Sequence, residues 1–238
     1  MKFSVRMRKW HKWLALVIGV QVFLWTASGL FMSFVPIETV RSEHLLKKSE
    51  DRPLVVSEKY VQILKAVEAS GLNQENIGEI KIKMLLERPV YEVKAMSGES
   101  KLIDAKTGEL LSPLSQKLAE EIVRSRYAGD AKILKSTLLD QPVSEYRSTY
   151  PVWRIDFEDN DQTSFYVSPS DGNLKAVRGN IWRVYDFLWM LHIMDYSERE
   201  NFNHWWLVIA AFLAVSVTLT GFVLFFSSFR KKDFLFFK

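Results

Sequence analysis

Four histidines and no cysteine bound the chemistry open to this 238-residue chain. Without thiolates there is no disulfide, no cysteine zinc site, no iron–sulfur cluster and no C-x-x-C-H attachment of a c-type haem. Any redox-active metal group must therefore be held noncovalently by His or Met. A glycine-rich phosphate loop and a G-x-S-x-G nucleophile elbow are both missing, which leaves nucleotide-dependent and serine-hydrolase chemistry without its usual residues. Three histidines, His11, His192 and His204, stand at the edges of long apolar segments. Neutral imidazole is a common iron ligand, and a histidine at a bilayer boundary is rare enough to raise a functional hypothesis. The competing reading is an interfacial ring resting in the headgroup zone. His44, in R-S-E-H-L-L-K-K, reads as a solvated residue.

The elements that must position these rings are apolar. Asn201 to Phe229 is 29 residues without a formal charge, more than the roughly 20 that a helix needs to cross a hydrocarbon core of about 30 Å. A transmembrane helix is expected over 202–229, opening on His204-Trp205-Trp206 and stopping at the bases Arg230, Lys231 and Lys232. Just upstream, 181–194 is aromatic and apolar but too short to span, so it is expected to be an interfacial helix; it places His192 twelve residues before His204. The two rings then flank one polar turn at one membrane face. The first transmembrane helix is expected over 13–37, Trp13 to Ile37, 25 uncharged residues behind a basic start at 1–12. It is too long for the apolar core of a secretory signal and reads as an uncleaved anchor. Gln21 is expected to face a helix partner. Gly19, Ala27, Ser28, Gly29 and Gly221 offer small surfaces for close helix packing, and with it a homodimer.

The two apolar segments also repeat a pattern. His11-x-Trp13-Leu14 followed by Thr26-x-Ser28-Gly29 answers to His204-x-Trp206-Leu207 followed by Thr218-x-Thr220-Gly221. Charge is divided as sharply as hydropathy: residues 1–12 carry +5 and 230–238 carry +3, which leaves the region between at −4 within a net +4. The basic ends give no support to nucleic-acid binding; they predict both termini in the cytoplasm and the middle outside. That middle, 42–180, contains a second repeat with a period of 62 residues, Pro89-Val90-Tyr91 matching Pro151-Val152-Trp153. Each unit reads as an amphipathic helix, Ser57 to Ser70 or Ser115 to Tyr127, then a hairpin with Gly108 or Gly172 in its turns. Ile80, Ile82, Met84 and Ile133 suggest a further strand after each helix. The expected fold is a membrane protein of α+β class: two transmembrane helices flanking one domain of two helix-plus-hairpin repeats.

With these residues in place, the chain resembles the PepSY-associated transmembrane family of bacterial iron-regulated inner-membrane proteins. The likeness rests on R-K-W-H-K-W at Arg8 to Trp13, T-x-[ST]-G near the end of each membrane helix, D-x-x-x-x-L-H at Asp186 to His192, and two repeats that look like PepSY units. Larger relatives have four membrane helices and include siderophore-iron reductases; this chain resembles a minimal two-helix version of the kind that assists iron uptake. The resemblance implies an inner-membrane haem b protein with a periplasmic central domain, reducing ferric iron or a ferric chelate. It makes His11 and His192 candidate axial ligands of the haem iron. His204 joins them as a third candidate because of its place across the turn from His192. Arg8, Lys9 and Lys12 could pair with haem propionates or with lipid phosphates, and the acidic residues Glu158, Asp159, Asp161 and Asp171 could attract ferric ions. A rival reading makes the helices anchors only and the repeats a binding or regulatory module for a peptide, a protease or an iron transporter.

Overall fold

The computed structural model describes residues 2–47 and 59–228; the expected Ser57 cap, the last residue of the expected span 202–229 and the basic tail 230–238 lie outside them. The described chain divides into two units, one of residues 1–36 and 184–238 and one of residues 37–183.

The first unit is helical. Helix α1 runs Lys2–Phe34, so the basic residues expected as a separate tail form its opening turns. It ends two residues before Pro36, which cannot donate a helical hydrogen bond. Helix α6 spans Trp205–Ser228. Val5–Phe34 and Trp205–Ser227 are long and apolar enough to cross a membrane. Their large side chains point outward, with Val17, Phe23, Phe212 and Phe226 all about 70% exposed (70, 68, 71 and 73%). Apolar surface of that extent is stable only against lipid tails or another apolar face. One stripe of α1 behaves differently: Ile18 and Ser28 are buried, and with Gln21 and Trp25 they recur at the three-and-four spacing of one helix face.

The second unit begins with the short helix α2, Ile37–Val40, and holds both repeats. In the first repeat, helix α3 (Ile63–Ser70) precedes an antiparallel sheet of β1 (Ile77–Leu85), β2 (Arg88–Ala95) and β3 (Ser100–Asp104). Helix α3 begins later than the serine-capped start expected at Ser57, with Gln62 at the cap position, and closes on Gly71 in the left-handed region. In the second repeat, α4 (Gln116–Arg126) precedes β4 (Ile133–Leu139), β5 (Val152–Phe157), β6 (Ser164–Val167) and β7 (Leu174–Arg178), paired in that order. Here the expected cap is present: the Ser115 hydroxyl accepts the Leu118 N–H.

The register shows how one repeat became the other. Tyr91 pairs with Ile103 in the first sheet, and Trp153 with Val167 in the second. The first partners are 62 residues apart and the second 64, because the β5–β6 loop, 158–163, is two residues longer than the β2–β3 loop, 96–99. After β3 the chain makes only one further bridge, Ile103 to Leu110, whereas after β6 it pairs along all of β7. The turn before β7 requires glycine: Gly172 has φ +66°, and a Cβ there would lie 3.1 Å from Leu85 Cδ1. The main core joins the two repeats, with Leu85, Val90 and Leu102 packed among Val123, Ile155, Phe165 and Val167. A smaller core seals α3 against β2 and β3 through Ala66, Val67, Val93 and Ile103.

Candidate functional site: two imidazole seats

Helix α5, Asn180–Ile193, ends against the polar stripe of α1. Its last three residues have carbonyls with no partner inside the helix, and in an apolar surrounding each needs a donor. Gln21 Nε2 donates to Leu191 O at 3.1 Å, Trp25 Nε1 to His192 O at 2.6 Å, and His204 Nε2 to Ile193 O at 2.9 Å. The polar residue noted in mid-segment, Gln21, thus meets a helix end within the same chain.

The His192 ring is fixed by the same stripe. Its Nδ1 lies 2.8 Å from Ser28 Oγ, and Ser28 donates its own proton back to Leu24 O at 2.6 Å. With the serine proton assigned to Leu24 O, the serine oxygen accepts, and on that assignment the imidazole carries its proton on Nδ1 and presents a lone pair at Nε2. The Gly29 Cα faces the ring edge, a Cβ there standing 3.9 Å from His192 Cε1.

His11 repeats this arrangement at the other end of the helix pair. Its Nδ1 lies 3.0 Å from Thr220 Oγ1 and 3.2 Å from Val217 O. Thr220 donates to Ser216 O and Val217 O, and a carbonyl can only accept, so the proton again sits on Nδ1. Gly221 stands where Gly29 stood, its absent Cβ only 3.3 Å from His11 Cε1. The T-x-[ST]-G motif therefore has a physical content in both helices: the hydroxyl orients an imidazole and the glycine leaves room for it. The small residues expected to mediate helix association, Gly29 and Gly221, face rings of this same chain, while Gly19 has nothing within 4 Å.

His204 differs. Its Nε2 is used on Ile193 O, and its Nδ1 accepts the Leu207 N–H, one of the free amides of the first turn of α6. Both nitrogens are engaged in joining α5 to α6, whereas His11 and His192 each keep one nitrogen without a partner among the described residues. The fold-back expected between His192 and His204 does occur, with His204 on the carbonyl next to His192. Its organiser is Asp195, the first residue of the polar turn. The buried carboxylate accepts from the N–H groups of Ser197, Glu198, Glu200 and Asn201 and from the Ser197 hydroxyl. These donors, Asn201 N–H foremost, hold it far below the ordinary carboxylate range. Asp186 pairs with Arg199, and Trp189 Nε1 donates to Arg199 O at 3.0 Å, tying the loop to α5.

The seats stand far apart. His11 and Ser28 are 17 positions apart on one continuous helix, or about 25 Å of rise at roughly 1.5 Å per residue. Counted back from Thr220 at the same rise, the start of α6 at Trp205 falls at about the level of Thr26. The His192 seat is therefore level with the tryptophan pair Trp205 and Trp206, whose rings stack at 3.7 Å.

Two of the four acidic residues of this region are engaged within the fold. Asp159 takes the Thr163 N–H, the Thr163 hydroxyl and the Tyr127 hydroxyl; Asp171 pairs with Lys175 at 2.8 Å and accepts the Asn173 N–H. Among the described residues no group of three or more His, Asp or Glu side chains is placed to hold a bare metal ion. Turn bonds and an ion pair account for Asp159 and Asp171 without a metal ion. His44 is half-exposed, 4.0 Å from Asp161.

The pattern described as the PepSY-associated TM region matches residues 8–238, which takes in both seats and both repeats. The chain belongs to this family. It is a membrane protein, with its two transmembrane-length helices at the ends of an α+β centre. No curated protein and no solved structure matches it. Within the matched region, the R-K-W-H and L-H runs of this chain supply the seated rings, and its paired T-x-[ST]-G runs receive them.

Proposed function

We propose that this protein is an inner-membrane haem b protein that passes electrons outward to reduce ferric iron or a ferric chelate in support of iron uptake. The supporting observation is the pair of seated imidazoles: each ring has Nδ1 bonded into the protein, and among the described residues neither Nε2 has a partner. That donor set fits an iron porphyrin, which takes neutral histidine nitrogen as an axial ligand, and it fits a chain with no cysteine. Haem, when bound, supplies one-electron transfer between ferric and ferrous iron.

The chain's own residues do the rest. His11 and His192, at opposite ends of the helix pair, would each offer one neutral nitrogen to a haem iron. A homodimer would bring a second copy's rings within reach and make a four-helix bundle, of the kind that holds haem between facing side chains. Arg8, Lys9 and Lys12, within a turn of His11, are placed to pair with propionates. The excess of bases at the chain ends supports a topology with both termini in the cytoplasm and the central unit in the periplasm. On that topology His11 lies on the side of the electron source, and His192 on the side where ferric iron, delivered alone or with an iron transporter nearby, is reduced.

The test is the optical spectrum of the purified full chain expressed with haem supply, followed by addition of a ferric chelate to the reduced protein. A Soret band that shifts on reduction, and reoxidation by the chelate, are expected. A chain that stays colourless after haem supplementation would move the assignment to a membrane-anchored PepSY module that binds or regulates a periplasmic partner.

A further inference from the structure

We infer that Ser28 and Thr220 are positioning residues that set the tautomer, and through it the ligand strength, of His192 and His11. The proposal rests on the haem reading above but concerns groups that would touch no haem. In both seats the same three atoms recur: a hydroxyl one residue before a glycine, an imidazole Nδ1 at 2.8 or 3.0 Å from it, and a helical carbonyl that takes the hydroxyl's proton. The hydroxyl is thereby an acceptor only. It selects the Nδ1–H form of the ring, and so keeps the lone pair on Nε2, the nitrogen that points away from its own helix partner. An acceptor on the far nitrogen also raises the basicity of the ligating one, which favours ferric over ferrous iron and lowers the midpoint potential.

The two seats are unequal in a way that makes the proposal specific. His192 has Ser28 Oγ as its one acceptor among the described residues, whereas His11 has both Thr220 Oγ1 and the Val217 carbonyl. Removing the hydroxyl should release the His192 ring and leave the His11 ring partly held.

The tautomers are read first, without haem, by nitrogen NMR of the full chain in detergent with labelled histidine. His11 and His192 are expected as Nδ1–H and His204 as Nε2–H. Ser28→Ala should convert the His192 signal to a mixture, and Thr220→Val should change His11 less. In the haem-loaded chain, Ser28→Ala should raise the midpoint potential of one haem and weaken its binding by about 10- to 100-fold. Ser28→Thr, which restores the acceptor, should return both, as Thr220→Ser should for the other seat. Unchanged tautomers and potentials in Ser28→Ala and Thr220→Val overturn the positioning role, as does equal loss in the Ala and Thr variants of Ser28, which would indicate packing alone. Absence of haem from the wild-type chain overturns the haem reading instead, and the tautomer measurement then decides the positioning role by itself.

Discussion

At the scale of single residues, the informative contrast is between histidines that look alike in sequence. His11 and His204 each precede x-Trp-Leu at the mouth of an apolar segment, but only His11 keeps a nitrogen unbonded among the described residues. The difference lies in position along the helix. His204 immediately precedes the first turn of α6, where free amides need an acceptor, and His11 is already inside α1, where its backbone neighbours are satisfied. Replacing His204 by Ala should cost about 1–2 kcal/mol of stability through the lost cap and the unpaired Ile193 carbonyl. Denaturation of the full chain in detergent measures this, and haem content should be unchanged. A stable variant that has lost haem would return His204 to the ligand set. All three rings were visible in the sequence, but not which of them keeps a free nitrogen, because that depends on which carbonyls and hydroxyls end up beside each ring.

Among elements, the repeats were legible and their edges less so. Alternation of apolar residues marked β2, β3, β5 and β6, and the glycines at 108 and 172 marked turns that do adopt positive φ, +78° and +66°. The second sheet pairs a fourth strand, β7, where the first repeat makes the Ile103–Leu110 bridge, a difference in pairing that hydrophobic period does not encode. The same holds for the charged cluster over that sheet, whose members are scattered along the sequence. Arg183 donates to both oxygens of Glu145, at 2.8 and 3.2 Å, and Tyr166 donates to one of them. Burial works to raise the Glu145 carboxyl, but the Arg183 bonds and charge together with Arg154 outweigh it and hold it below its ordinary 4.5. A depressed carboxyl stabilises the fold fully above the unfolded value and loses that contribution as pH falls through the folded one. Thermal unfolding followed from about pH 7, where carboxyls are ionised, down to about pH 3, below the ordinary Glu value, should therefore show a decline beginning below about pH 4.5 that is shallower in Glu145→Gln, with the variant already less stable at neutral pH. Parallel curves for the two proteins would mean that Glu145 is not depressed.

For the whole molecule, the account is of a membrane protein that carries the same histidine-receiving motif twice, once in each of two antiparallel helices, and whose second unit is itself built of two repeats. Both duplications were visible as sequence repeats; the way the first one works was not, because each T-x-[ST]-G run receives a ring from a segment some 160 to 210 positions away, His192 on Ser28 and His11 on Thr220 (separations of 164 and 209). The central claim, that these two rings and not His204 are the iron ligands, is tested most directly by haem per chain, with its reduced-minus-oxidised spectrum, for the single variants His11→Ala, His192→Ala and His204→Ala. The account predicts that each of the first two removes or converts a separate part of the haem signal and that the third leaves it intact. Full haem binding in both His11→Ala and His192→Ala, or its loss in His204→Ala alone, would contradict it.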